Sequence, residues 1–198
     1  YNMHLLKEKR YEDYATTLKE VKDLVIKSKD EECLFIFRRQ EFVLYVVTGH
    51  FNHAEALLKA LNTNPPYCSE ADLIYLNSFI ALYYFYKKEF KILKQIFKVN
   101  QKTENTTNFL RLHSLKILVA LEEGDLIYAK SLLSSIYYYK QQQDKLIYQI
   151  LALIVSFYEK QQHLGDSFYQ KLKEKLQQFY FKNKTDVVYP LEVNTMAW

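Results

Sequence analysis

Glycine and proline are scarce, with 3 of each in 198 residues. An all-β fold needs many tight turns, and nucleotide-binding loops need closely spaced glycines, so the composition argues against both. No Gly-x-Ser-x-Gly elbow, phosphate loop or dinucleotide fingerprint occurs. Cysteine is nearly as rare. Cys33 and Cys68 lie far apart in sequence, which fits two unpaired thiols in a reducing, cytoplasmic compartment. Long apolar runs are also missing. The longest, Tyr148 to Tyr158, is broken by Gln149 and Ser156, and Leu73 to Tyr86 carries Asn77 and Ser78. Both fall short of the ~20 residues that cross a bilayer, so both read as buried helices and no membrane partner is expected. The opening residues show no secretory leader. The chain begins with Tyr1 and not Met, which fits a fragment of a longer protein whose missing part could hold a deciding domain.

What the chain has is packing material. Apolar residues make up 49% of it, including 18 Tyr and 13 Phe, enough to bury a core and to exclude a disordered polypeptide. The formal net charge of +4 is too diffuse to mark a nucleic-acid binder.

Aligning the glycines exposes a repeat. Gly49 opens Gly-His-Phe-Asn-His-Ala-Glu-Ala-Leu-Leu, and Gly124 opens Gly-Asp-Leu-Ile-Tyr-Ala-Lys-Ser-Leu-Leu. In each, a large apolar residue follows two later, alanine five later and leucine nine later. Gly165 opens a weaker copy, and Lys9 and Lys88 stand in the glycine's place in two more. The five positions 9, 49, 88, 124 and 165 are separated by 40, 39, 36 and 41 residues. Stacked helical hairpins require such a pattern. The turn between antiparallel helices favours a residue that tolerates positive φ. Ala54 and Ala129 let the two axes approach, and apolar residues three and four apart close the layer: Phe51, Leu57, Leu58 and Leu61 in one copy, Leu126, Leu132, Leu133 and Ile136 in another, Phe90, Leu93, Ile96 and Phe97 in a third.

At these positions the chain resembles the tetratricopeptide repeat, whose pattern sets a large apolar residue four after an alanine and closes the unit with proline. Ala54, Leu58 and Pro66 follow that order, as do Ala129 and Leu133. The copies depart from the pattern in having no tryptophan at the start of a first helix and in exceeding 34 residues. The resemblance implies an all-α fold over 1–198, a right-handed α-solenoid of about five hairpins. The first helices are expected over 34–48, 71–87, 108–123 and 144–162, apolar on most sides because neighbours sandwich them. Turns are expected at 62–70, 98–107 and 140–143, and 182–198 as a capping tail.

Candidate chemistry is thin. His50 and His53 lie three apart at a helix start, but no cysteine or acidic cluster is placed to add ligands, so no metal and no cofactor are expected. His4, His113 and His163 are isolated, and Glu31-Glu32 and Glu122-Glu123 read as solvated charge near helix ends. No enzyme is expected. Lys171, Lys173, Lys175, Lys182 and Lys184 fan around the last helix, as a solvated face does. The Tyr83 to Tyr86 and Tyr137 to Tyr139 clusters must each be partly core, because successive helical side chains point in different directions.

Arginine is the sharper signal. There are 23 Lys but only Arg10, Arg38, Arg39 and Arg111. In tetratricopeptide proteins the first helices line a peptide-binding groove, and the resemblance turns Arg39, Tyr75, Ser78 and Arg111 toward it. A planar guanidinium suits carboxylates; the competing role for Arg39 is an ion pair with Glu41 or another acid. The expected function is a non-enzymatic module that holds a protein or peptide. The alternatives are the sensory domain of a bacterial transcription regulator whose DNA-binding part lies outside this chain, and a nucleic-acid-binding helical array. Partner identity and oligomeric state are open at this point, since a fold is a weak guide to ligand.

Overall fold

The computed structural model describes residues 10–61, 68–99, 106–137, 145–160 and 166–183. Nine helices occupy them: α1 Tyr11–Ser28, α2 Glu31–Val47, α3 Phe51–Leu61, α4 Glu70–Tyr86, α5 Phe90–Val99, α6 Thr106–Glu122, α7 Leu126–Tyr137, α8 Lys145–Lys160 and α9 Asp166–Asn183. The chain divides into two compact units, Tyr1–Thr103 and Glu104–Trp198. The first holds α1 to α5, the second α6 to α9.

Local chemistry sets the boundaries. The Asp30 carboxylate caps α2, accepting from the amides of Glu32 and Cys33 at 2.9 and 3.2 Å, so α2 starts three residues before its apolar run. Ser69 caps α4: its hydroxyl accepts from the Asp72 amide at 3.1 Å and donates to the Asp72 carboxylate at 2.6 Å. Asp125 starts α7 by accepting from the Tyr128 amide at 2.9 Å.

The hairpin turns follow one hydrogen-bonding scheme. Gly49, Lys88 and Gly124 all have positive φ, at 76, 57 and 78°. In each turn the next residue's amide reaches back five residues along the first helix: His50 to Tyr45 at 2.8 Å, Glu89 to Tyr84 at 3.0 Å, Asp125 to Ala120 at 2.8 Å. The turn residue itself donates to Val46, Phe85 or Leu121, completing a Schellman motif that satisfies the last carbonyls of the first helix. The expected small residues Ala54 and Ala129 are fully buried, and Leu93 holds the same place in the α4–α5 hairpin. Lys9 lies outside the described residues, yet α1 starts two residues after it and Tyr14, five after it, is fully buried. The Gly165 copy breaks the register: Gln170 is exposed, while Leu172 and Leu176 take the buried positions. Pro65, Pro66, most of the expected connections and 184–198 lie outside the description, and α9 carries helix two residues into the expected tail.

Packing follows chain order. In the first unit α1 lies on α2, α2 on α3, α3 on α4 and α4 on α5, and α2 also meets α4. In the second, α6, α7, α8 and α9 pack in succession and α6 also meets α8. Helices flanked on several sides are buried all round: every residue from Ser78 to Tyr83, and from Ile117 to Leu121, is buried. Six successive buried positions exceed one 3.6-residue turn, so α4 has no fully solvated face there. The second helices keep one wet side, seen at Asn52, His53, Glu55 and Ala56 of α3 and at Lys91, Lys94 and Gln95 of α5. Tyr83 and Phe85 are core; their neighbours Tyr84 and Tyr86 are half-buried. Tyr138 and Tyr139 lie outside the described residues.

Candidate functional site

A polar cluster links α1, α2 and the start of α4 in the first unit. Arg39 projects from α2 with little of its side chain exposed, and its Nη1 donates to Asp72 Oδ1 at 2.5 Å. The guanidinium carbon lies 5.6 Å from the centre of the Tyr75 ring, one turn further along α4, within cation–π range. Arg39 Nε is buried and finds no hydrogen-bond partner among the described residues. A buried donor left unmatched costs about 1–3 kcal/mol, so the Asp72 pair and the ring must offset it. Beside it, the fully buried Tyr14 donates its hydroxyl to Gln40 Oε1. Burial pushes the Tyr14 phenol well above its usual range and Tyr75 adds to the rise, with Arg39 opposing it. Asp72 is held below the ordinary carboxylate range, first by the Ser69 hydroxyl and then by Arg39. The Cys68 thiol is raised by its burial and by Asp72, while Arg39 pulls the other way.

Of the four residues expected to face a partner, the fold brings three together. Arg39 and Tyr75 are in contact. Ser78 is fully buried and its hydroxyl donates to the Tyr75 carbonyl at 2.7 Å, so it supports the α4 backbone from inside. Arg111 belongs to α6 of the second unit, and its side chain lies outside the description. The acid that pairs with Arg39 is Asp72, 33 residues away, and not the nearby Glu41, which pairs with Lys22 at 3.5 Å. Asp72, Tyr14 and Gln40 are the members that sequence reasoning did not name. The Ser69-x-x-Asp72 capping box is a legible signal for the first; nothing local marks the other two.

Elsewhere the polar contacts tie helix to helix. Tyr83 on α4 donates to Glu55 on α3 at 3.1 Å, and burial together with that bond pushes its phenol up to about 12. Tyr158 on α8 donates to Glu122 on α6 at 2.8 Å, and Lys130 on α7 pairs with Glu159 on α8 at 2.6 Å. His113 on α6 meets Ser135 on α7, Nε2 to Oγ at 3.1 Å. The Ser135 hydroxyl has one proton, and the Leu132 carbonyl 2.7 Å away can only accept it. His113 Nε2 is therefore the donor to Ser135, the reverse of a base activating a nucleophile. Burial and then Lys116 depress the imidazole to about 4, so it is neutral at pH 7.

Cys33 and Cys68 are both unpaired thiols. Among the described residues no group of three or more His, Cys, Asp or Glu gathers as a metal site would need, and no helix is long and apolar enough to cross a membrane. Lys171, Lys173 and Lys175 are exposed on α9. Comparison of the chain with protein-family models, with curated proteins and with solved structures gave no match.

Proposed function

We propose that the chain is a non-enzymatic interaction module that holds a protein or peptide partner, its hairpins stacked as a tetratricopeptide-like right-handed solenoid. The stacking draws support from the shared turn scheme at Gly49, Lys88 and Gly124, and from the side-by-side placement of first helices, α2 with α4 and α6 with α8. The observation that carries the binding reading is the α2–α4 contact, where Arg39 lies between Asp72 and the Tyr75 ring. A carboxylate on the partner would compete with Asp72 for the guanidinium, and the ring would flank it. Asp72 is the more exposed member of that pair, at 43% against 12% for Arg39, so a competing carboxylate would approach from its side, leaving Asp72 on the Ser69 hydroxyl.

The test is affinity capture from the native lysate with three baits: the natural chain, Arg39→Gln and Arg111→Ala, each checked for unchanged helical content. The reading expects a partner on the natural chain that Arg39→Gln loses. A partner retained by Arg39→Gln, or no partner on any bait, contradicts it. A captured nucleic acid whose binding falls steeply with salt would replace it with the helical-array alternative.

A further inference from the structure

The turn between α2 and α3 carries a feature that its counterpart between α6 and α7 lacks. Where the second unit has Asp125 and Tyr128, the first has His50 and His53, one and four residues after the turn glycine. Both histidines are exposed, and their ring centres lie 6.2 Å apart. His53 also lies against the Tyr45 ring at 5.1 Å, which gives it a fixed backing on α2.

The hydrogen bonds around Thr48 determine where His50 carries its proton. The Thr48 hydroxyl lies 2.7 Å from the Leu44 carbonyl and 2.8 Å from His50 Nδ1. A carbonyl can only accept, so the single hydroxyl proton goes to Leu44 and Nδ1–H of His50 donates to the Thr48 oxygen. His50 is thereby held as its Nδ1–H tautomer, with the Nε2 lone pair turned away from Thr48. This is the outer-shell arrangement that orients histidine ligands in metalloproteins, where one ring nitrogen donates to a protein group and the other meets the metal. The pair also sits where the carbonyl end of α2 meets the amide end of α3, so the two helix-end partial charges oppose each other.

We propose that His50 and His53 form a two-histidine chelate for a borderline divalent transition ion of the Zn²⁺ or Cu²⁺ class, with water completing the coordination. Imidazole nitrogens suit such ions better than Mg²⁺ or Ca²⁺, which take oxygen ligands. With metal–nitrogen bonds of ~2.0–2.1 Å, two imidazoles on one tetrahedral ion place their ring centres about 5 Å apart. Closing the observed separation takes about 1 Å, within reach of side-chain rotation by exposed rings.

The experiment titrates Zn²⁺ into the untagged full chain by calorimetry, alongside His50→Ala, His53→Ala and Thr48→Val. The expected result is one ion per chain, bound about tenfold or more tighter than by either single-histidine variant, because the second ligand binds at high effective concentration. Thr48→Val keeps both ligands and is expected to weaken binding by about 10–100-fold, as loss of outer-shell partners does. Equal affinity for the natural chain and the single-histidine variants, or uptake at millimolar Zn²⁺ alone, overturns the proposal. A metal-independent readout is the ¹⁵N spectrum of the imidazoles. Nδ1–H at His50 supports the proposal, and Nε2–H there overturns it.

Discussion

Among the described hairpins that carry the repeat, two turn on glycine and one on lysine, yet the three turns share their hydrogen bonds. Gly49 and Gly124 adopt φ of 76 and 78° at no steric cost, and a Cβ at either would meet nothing within 4 Å. Lys88 adopts φ of 57° with a side chain attached, a conformation that costs about 1–2 kcal/mol in an L-residue. The packed helices and the Schellman bonds therefore impose the turn, and glycine only makes it easier. A second difference accompanies the first. The fully buried position five residues after the turn is alanine in both glycine hairpins and leucine in the lysine hairpin. One backbone register accommodates two side-chain volumes there.

The largest break in this comparison is expected at that buried position. Leu93→Ala should destabilise by about 3 kcal/mol, because it leaves a cavity at a fully buried site. The reverse change, Ala129→Leu, should cost about 2 kcal/mol by overpacking a contact fitted to a methyl group. Urea denaturation of both variants measures this. If either is silent, the position is not the point of closest helix approach.

Acid should separate the hairpins next. Eleven residues before the turn glycine, α2 carries Arg38 and α6 carries His113. His113 has a folded pKa depressed from 6.5 to about 4, so between those values the unfolded chain binds the extra proton. The stability it contributes is complete above about pH 6.5 and is lost as pH falls toward 4. At ~1.4 kcal/mol per pKa unit the depression corresponds to about 3.5 kcal/mol, which solvent screening of the half-buried ring reduces to about 2–3 kcal/mol. Hydrogen exchange at pH 4.5 should show amides of α6 and α7 losing more protection than those of α2 and α3, and His113→Gln should remove the excess. Equal losses in the two hairpins would place the acid sensitivity elsewhere.

Much of the fold was legible because it repeats. The spacing of Gly49, Lys88 and Gly124 located three turns, including the one with no glycine, and the residue five later proved fully buried in each hairpin. The turn at Lys29, φ 55°, joins α1 to α2 and carried no comparable signal, since neither glycine nor a repeat copy marks it. The candidate site was only half legible. Arg39 and Tyr75 stood out by residue type and register, but the partners that hold the cluster lie far off in sequence. Tyr14 meets Gln40 across 26 residues and Arg39 meets Asp72 across 33. Such pairings depend on helix rotation and crossing, which periodicity does not specify.

The most direct test of the shared-turn account exchanges the turn residues, with Lys88→Gly and Gly124→Ala compared by urea denaturation. Relief of the strained φ exceeds the entropy that glycine adds to the unfolded chain, so Lys88→Gly is expected to gain about 0.5–1 kcal/mol. Gly124→Ala meets no steric neighbour and is expected to lose about 1 kcal/mol through φ strain alone. Opposite signs of these sizes support three hairpins built on one imposed turn. A loss at both positions, or no change at either, would contradict it.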